Sequence, residues 1–191
     1  MLKIKSKALA PIVLVVIACL VWTGFQKRKL VRIKVNDRIS AVIPSDWMPM
    51  DAMDFTQRYP SVRAPLAAYT DMERLVDFSV NVSATQWPDG NLEMSKRFFK
   101  ASILNMFDRV EMIDEGYNEF GKEKLIFFEF ESRVEGERGS ESHRQPVLKY
   151  TYIQYWVRPD QTLVFTFNAP RRLKDDWQET AREIMTSLKL K

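Results

Sequence analysis

The feature that most constrains this chain is an uncharged apolar segment near its N-terminus. Residues 8–25 read ALAPIVLVVIACLVWTGF and contain no Asp, Glu, Lys or Arg. A helix of roughly 18 residues, rising about 1.5 Å per residue, spans roughly 27 Å, close to the thickness of the hydrocarbon core of a bilayer. Proline is tolerated in the first turn of such a helix, and tryptophan favours the membrane interface near its end. We therefore predict one membrane-spanning helix with these anchor residues: Pro11, Leu14, Ile17, Cys19, Leu20 and Trp22.

Two other interpretations of this segment stay open. A cleaved signal peptide is disfavoured, because its apolar region is normally shorter and is followed by small residues, whereas this one ends in Gly-Phe-Gln-Lys-Arg-Lys. Residues 16–19, Val-Ile-Ala-Cys, resemble a bacterial lipobox, so a lipoprotein modified at Cys19 is the main alternative. In the anchored form, residues 1–7 are a basic flank, 8–25 the membrane helix, 26–30 a basic linker and 31–191 one folded domain.

The charge of the chain argues against nucleic acid as a partner. Its formal net charge is only +4, and much of the excess flanks the apolar segment, where cations meet anionic lipid headgroups. The single cysteine, Cys19, lies inside that segment, so the domain has neither an internal disulfide nor a cysteine-based metal site. We expect no cofactor.

Beyond the anchor, alternating apolar and polar residues predict β-strands joined by short turns. The clearest runs are 31–36, 39–43, 75–85, 124–134, 147–157 and 162–168. One helix is predicted from the turn at 88–91 to about residue 107. The apolar stripe of a second helix consists of Leu173, Trp177, Ala181, Ile184, Met185 and Leu188. Short hairpin connections favour an antiparallel β-sheet flanked by helices, which is the α+β class.

One segment and one glycine depart from these patterns. Residues 45–65 contain three prolines among apolar side chains and are expected to form an irregular loop with at most one helical turn. Gly116 is expected to interrupt the strand that begins near residue 110.

Two groups of residues are candidates for contact with a partner. The strand 147–157 carries Tyr150, Tyr152 and Trp156 on one face, which is core if a helix covers it and a contact patch if it is exposed. The segment 45–65 holds flexible methionines, whose thioethers adapt to varied surfaces. Its candidate contact residues are Met48, Met50, Met53, Phe55 and Tyr59.

Catalytic patterns are weak in this sequence. The only histidine, His143, lies in the polar run Ser-Glu-Ser-His-Arg, whose spacing does not build a nucleophile and its base. Glu129 and Glu131 share one face of a predicted strand, about 6–7 Å apart, and we expect that face to be solvated. None of the six glycines forms a phosphate-binding loop. We therefore predict a protein that is not an enzyme and binds no metal; a hydrolase using His143 or the two glutamates is the disfavoured alternative.

Two short motifs lie near the ends of the domain. Residues 43–47, Ile-Pro-Ser-Asp-Trp, follow the first predicted hairpin, and the strand 163–170 leads into a helix that closes with Ser-Leu-Lys-Leu at 187–190. The Pro-x-x-Trp motif and this order of elements resemble the Mog/PsbP-like fold family. The resemblance covers roughly Val31 to Lys191, and it implies an α/β/α sandwich around an antiparallel sheet.

The resemblance also implies a kind of function. Proteins of this fold include photosystem accessory proteins, a Ran-binding protein and periplasmic lipoproteins, and they are rarely enzymes. What it implies is a binding scaffold on the extracytoplasmic side of a membrane. The leading hypothesis is a membrane-anchored accessory or assembly protein, a subunit of a membrane complex, whose domain binds a protein partner. The alternative is an exported protein or lipoprotein that binds a small ligand or lipid, with the aromatic face lining a cavity.

Overall fold

A computed structural model describes residues 28–58, 64–87, 90–135 and 145–191 of the chain. Within these ranges, strands dominate and three α-helices interrupt them. The elements follow in this order: β1 (Leu30–Lys34), β2 (Ile39–Pro44), β3 (Met48–Pro49), α1 (Ala52–Arg58), β4 (Ala67–Thr70), β5 (Asp77–Val82), α2 (Leu92–Met106), β6 (Arg109–Phe120), β7 (Glu123–Val134), β8 (Val147–Val157), β9 (Thr162–Pro170), a 3-10 turn (Arg171–Leu173), α3 (Lys174–Thr186) and β10 (Lys189–Leu190).

The strands form one large sheet and one small sheet. The large sheet has the order β3-β4-β5-β9-β8-β7-β6, and the small sheet has the order β1-β2-β10. Every pair of neighbouring strands is antiparallel. The α+β class and the antiparallel sheet predicted from the hairpin spacing are therefore confirmed.

The large sheet separates two hydrophobic layers. Successive side chains of a strand point to opposite faces, so β7 contributes Leu125 to one layer and Ile126 to the other. On the first face, β5, β8 and β9 pack against α3 and the small sheet. On the second face, β7 and β8 pack against α2. Helices on both faces of one sheet produce the sandwich that the resemblance implied.

Helix α3 covers the first face with the predicted apolar stripe. Trp177, Ala181, Ile184 and Met185 are all buried, and burial of each large side chain contributes about 1.5–3 kcal/mol. Asp175 and Asp176 lie in its first turn, where a carboxylate is favoured by the helix dipole. The helix ends at Thr186, earlier than the stripe indicated, because residues 189 and 190 pair with β2 as strand β10.

Helix α2 begins where the sequence indicated, and its C-terminal end is exposed. The Asn91 side chain caps the helix by accepting a hydrogen bond of 2.9 Å from the backbone N–H of Met94. Phe99 and Ile103 are buried, and the Phe99 ring stacks on Tyr155 with ring centroids 3.8 Å apart. Met106, at the last position of the helix, is 69% exposed.

Two local predictions were wrong. Gly116 does not interrupt a strand, because β6 runs through it, and the irregularity is a β-bulge between Met112 and Asp114. A Cβ at position 116 would lie 3.1 Å from the ring of Phe127 on the paired strand, so the glycine makes room for that ring. The segment 45–65 is more regular than a loop, since it contains β3 and α1.

Several predictions fall outside the described residues. The anchor residues at 8–25, Tyr59 and His143 all lie there. Among the residues that the structure describes, no helix combines the length and the apolar character needed to cross a membrane. The anchor therefore stays a prediction.

Candidate functional site

The aromatic face of β8 is core. Tyr150, Tyr152 and Trp156 are 0%, 3% and 2% exposed, in the layer that α3 and the small sheet cover. Of the two alternatives left open for this face, the structure shows the buried one. Burial raises the pKa of Tyr152 to about 12, and it raises the pKa of Tyr150 further still, with the nearby Glu129 carboxylate adding to the effect. These three side chains offer a partner no surface in this conformation.

The methionines near α1 differ in exposure. Met50 is buried, Met48 is half-buried and Phe55 is half-buried. Met53, on α1, is 67% exposed, which makes it the most exposed of the described candidates in this segment.

An arginine clamp holds α1 against the turn between β4 and β5. Arg74 makes ion pairs with Asp54 and with Asp51, whose carboxylate oxygen lies 3.3 Å from the guanidinium. Asp51 also accepts hydrogen bonds from the backbone N–H groups of Met53 and Asp54, at 2.9 and 3.0 Å. The backbone bond from Asp54 and the Arg74 side chain together lower the pKa of Asp51. Two charged contacts from one planar group fix the relative position of the helix and the turn.

The backbone of the clamp is unusual. Arg74 has φ of +56°, a left-handed conformation that is uncommon for residues other than glycine. The turn is held by Asp71, whose carboxylate accepts hydrogen bonds from the backbone N–H groups of Leu75 and Val76 at 2.7 and 2.9 Å. Met72, in the same turn, is 73% exposed. We call the two exposed methionines, Met53 and Met72, together with the clamp that joins their segments, the methionine surface.

A second exposed apolar area lies on the outer side of α2, which the sequence analysis missed. Its members are Met94, Phe98, Leu104 and Met106, which are 59%, 45%, 47% and 69% exposed. Met94, Phe98 and Leu104 lie off the stripe that buries Phe99 and Ile103, whereas Met106 continues that stripe and is exposed at the end of the helix. We call these four residues the α2 surface.

The prediction that Glu129 lies on a solvated face was wrong. Its carboxylate is 1% exposed and is covered by α3. It accepts hydrogen bonds from the Tyr150 hydroxyl at 2.9 Å, from Gln178 at 2.6 Å and from Arg182 at 3.0 Å. A buried carboxylate is tolerated when charged and polar partners saturate it.

Glu131 lies beside it in a similar environment. Its carboxylate is 11% exposed and pairs with Lys174 at 2.7 Å and with Arg171. Burial by itself raises the pKa of the carboxyl, but the two cations outweigh that effect and hold the pKa of Glu131 below its usual range. The two glutamates therefore attach β7 to α3 and to the 3-10 turn.

No group of three or more His, Cys, Asp or Glu side chains in the described ranges is arranged to hold a metal ion. The cleft beside Glu131 contains a cavity of about 90 Å³, and its lining includes Arg109, Arg133 and Arg171. Each of these arginines pairs with a glutamate, so the charges in this cleft are already compensated.

Comparison with known proteins shows likeness in structure only. The chain matches no protein-family model and no curated protein. Cyanobacterial PsbP (CyanoP) from Synechocystis sp. PCC 6803 superposes with a TM-score of 0.58 and 13% identity, over 89% of this chain and 96% of that one. The Ran-binding protein Mog1p of Saccharomyces cerevisiae superposes with a TM-score of 0.51 and 11% identity, over 86% of this chain and 96% of that one. LpqN of Mycobacterium tuberculosis, which is involved in cell envelope biogenesis, superposes with a TM-score of 0.50 and 13% identity, over 85% of this chain and 90% of that one.

These likenesses cover 85–89% of this chain and 90–96% of each neighbour. At such low identity they show the fold and nothing narrower. The element order, the antiparallel sheet and the helices on both of its faces all agree with them. The chain therefore has a Mog/PsbP-like fold.

Proposed function

We propose that this protein is a membrane-anchored, non-enzymatic accessory or assembly protein that binds a protein partner through the methionine surface. The observation that carries the proposal is the exposure of Met53 and Met72 on two segments that Arg74 holds together. Because the clamp already fixes the two backbone segments, binding needs to order only the methionine side chains themselves. Thioethers adapt to the shape of the surface that they meet.

The clamp favours the methionine surface over the α2 surface. A left-handed backbone at a residue other than glycine costs free energy, and such conformations concentrate at functional sites. On α2, the charged residues flanking the apolar ones are already paired, as in the contacts of Lys96 and Lys100 with Glu115. The α2 surface is therefore the alternative site, and it provides a matched control.

The descriptions of two structural neighbours bear on the proposed role. Mog1p is described as a Ran-binding protein, and LpqN as a protein involved in cell envelope biogenesis. Transferred to this chain, these descriptions suggest a protein partner and a location in the cell envelope. Both transfers are analogies between folds.

The position of Arg28 supports a close connection between anchor and domain. Arg28 donates a hydrogen bond of 2.7 Å to the carbonyl of Asp176, and its guanidinium lies 3.8 Å from the centroid of the Trp177 ring. The chain thus contacts α3 within a few residues of the apolar segment. A linker that ends on the domain surface leaves little freedom between bilayer and domain, and we propose that the domain stands on the extracytoplasmic side.

The binding proposal is tested by cross-linking in intact membranes followed by purification of the full chain. We expect the double variant Met53→Glu, Met72→Glu to reduce recovery of a stoichiometric protein partner by about tenfold or more, because buried contacts at the centre of an interface dominate its affinity. The matched control, Met94→Glu with Leu104→Glu, introduces the same charge on α2 and should retain the partner. Loss with the α2 pair alone would move the site to α2, and recovery of the wild-type protein without any partner would refute the proposal.

The anchor is tested separately by membrane fractionation. The full chain should remain in the membrane fraction after an alkaline wash, and a chain beginning at Gln26 should be soluble. The intact mass distinguishes the two modes of attachment: an apolar helix leaves the full chain unmodified, whereas a lipoprotein begins at an acylated Cys19. Acyl mass on the wild-type protein that is absent from Cys19→Ala would establish the lipoprotein alternative.

The second candidate function is the binding of a small ligand or lipid. It is favoured by a cleft between the two sheets, described below, and not by the aromatic face as first expected. The hydrolase alternative has no support among the described residues, because Glu129 and Glu131 are saturated by cations and hydrogen-bond donors.

A further inference from the structure

The two sheets leave a cleft between them at the end of the domain where two turns meet. One wall is the β1–β2 turn of the small sheet, and the other comes from strands β5, β8 and β9 of the large sheet and the β8–β9 turn. The cleft contains a cavity of about 190 Å³ that opens to solvent, which is room for one slender ligand but is smaller than the roughly 300 Å³ or more of typical drug-sized sites. Its lining includes Ile39, Leu66, Val82, Trp156 and Leu163.

The lining is divided between apolar and cationic residues. Ile39, Trp156 and Leu163 belong to the hydrophobic core and are at most 3% exposed, so they form an apolar floor. Leu66 is 47% exposed, so the cleft is open to solvent on that side. The charged residues that line the cleft, Arg38 and Arg158, are both cations.

These two arginines are weakly compensated. Arg38 is exposed, and its side chain makes no ion pair or hydrogen bond with any residue that the structure describes. Arg158 lies 5.0 Å from the centroid of the Trp156 ring and makes one long contact of 3.4 Å with Asp160, which is itself 62% exposed. The nearby carboxylate of Glu123 accepts a hydrogen bond of 2.7 Å from the indole N–H of Trp156.

This arrangement differs from that of the cleft beside Glu131. There, three arginines are each paired with a glutamate, and the Nε–H of Arg133, which has no hydrogen-bond partner, is buried. In the cleft between the sheets, guanidinium donors remain available beside an apolar floor. Guanidinium groups bind carboxylates through parallel hydrogen bonds, and the apolar floor would stabilise a hydrocarbon chain.

We propose that the cleft between the sheets binds an acidic amphiphile, a medium-chain alkyl carboxylate. The carboxylate contacts Arg38 and Arg158, and the chain lies against Leu66, Val82 and Leu163. The site is separate from the methionine surface, so it stands or falls independently of the partner-binding proposal.

The test is photoaffinity labelling of the full chain in membranes with a decanoate that carries a diazirine on its alkyl chain. Mass spectrometry of the labelled peptides should place label near Leu66, Val82 or Leu163. Label in residues 8–25 serves as the internal reference for probe dissolved in the bilayer. Unlabelled decanoate should compete for the label in the domain, whereas decanol and acetate should not, because each lacks one half of the amphiphile.

Variants distinguish the cleft from general affinity for the domain. Arg38→Gln with Arg158→Gln should reduce labelling of the domain by about tenfold, since it removes both charged donors, and should leave labelling of residues 8–25 unchanged. Val82→Trp, which fills the cleft and keeps both arginines, should reduce it similarly. The matched control, Arg97→Gln with Arg109→Gln, removes two exposed arginines elsewhere and should have no effect.

Three results would overturn the proposal. The first is label confined to residues 8–25, and the second is equal competition by decanol. The third is unchanged labelling in the arginine variant while near-UV circular dichroism shows a native fold. Competition by an acidic peptide and not by decanoate would likewise replace the amphiphile with a polypeptide ligand.

Discussion

Arg182 on α3 and Glu129 on β7 are joined across the main interface of the domain, with guanidinium nitrogens 3.0 Å from one carboxylate oxygen. The carboxylate is 1% exposed, whereas the arginine side chain is 50% exposed and reaches over it from the helix surface. The pair lies beside the hydrophobic layer that α3 covers, next to the ion pairs of Glu131. Helix α3 is therefore held by a charged contact as well as by its apolar stripe.

This relationship predicts a strong energetic coupling between Glu129 and Arg182. In a double-mutant cycle of Glu129→Gln and Arg182→Met, we expect a coupling free energy of about 1–3 kcal/mol, because either single change leaves a buried polar group without its charged partner. Urea unfolding of the wild type, the two single variants and the double variant measures this coupling free energy. The pair Arg109 and Glu111, whose side chains are 68% and 49% exposed, is the control and should couple by less than about 1 kcal/mol. Equal coupling in the two pairs would contradict the prediction.

Glu131 predicts a loss of stability in acid. Lys174 and Arg171 hold its pKa below its usual range, so the carboxylate contributes stability that is fully present above the pKa of the unfolded chain, about 4.3. That contribution is lost as the pH falls through the lower pKa of the folded state. Glu131→Gln should therefore be less stable than wild type at neutral pH, and the difference should shrink below about pH 4.3.

Urea unfolding between pH 3 and pH 7 checks this window. Glu119→Gln removes a carboxylate whose side chain is 73% exposed and should follow the wild-type curve. A difference between wild type and Glu131→Gln that stays constant through the acid range would show that the carboxylate is not held by its cations.

The stacked rings of Phe99 and Tyr155 predict where α2 is most sensitive to truncation. Phe99→Ala should reduce the free energy of unfolding by about 3–5 kcal/mol, because it leaves a cavity between the helix and the sheet. Phe98, its neighbour in sequence, is 45% exposed, and Phe98→Ala should cost much less. Thermal or urea unfolding of the two variants compares them, and similar losses would mean that α2 does not pack as described.

Tyr152 predicts a loss of stability in base. Burial raises its pKa to about 12, whereas an unfolded tyrosine ionises near pH 10. The neutral phenol thus contributes stability that is fully present below about pH 10 and is lost as the pH rises through 12. Absorbance at the tyrosinate band should show one fewer tyrosine ionising near pH 12 in Tyr152→Phe than in the wild type. The free energy of unfolding of this variant should also fall less between about pH 10 and pH 12. An unchanged titration curve would contradict the assignment.

Much of the fold was predictable because short-range patterns coincide with long-range packing. The alternation in β5 and the stripe from Trp177 to Met185 report which side of each element meets apolar neighbours. Gly116 misled the prediction, since a glycine that makes room for the ring of Phe127 has the same sequence signature as a glycine that ends a strand. The difference between the two lies in the partner strand.

The candidate sites were less predictable, because exposure is a property of what covers a residue. Tyr150 and Met53 are both large side chains. Tyr150 lies under α3, whereas Met53 is exposed on α1, the helix that Arg74 binds through Asp54. No local pattern places Arg74 beside α1, and none places Arg38 and Arg158 around one cleft. Both arrangements join segments that are far apart along the chain.

By itself, the amino-acid sequence determined the elements: an uncharged segment suited to a bilayer, alternating strands, two amphipathic helices and the absence of a domain cysteine. These follow from the periodicity and hydrophobicity of neighbouring residues. Only the tertiary structure decided that Glu129 and Glu131 are covered by α3, and that the two sheets leave a cleft with two arginines. The physical reason is that burial and charge compensation depend on distances through space, which the order of residues along a chain does not specify.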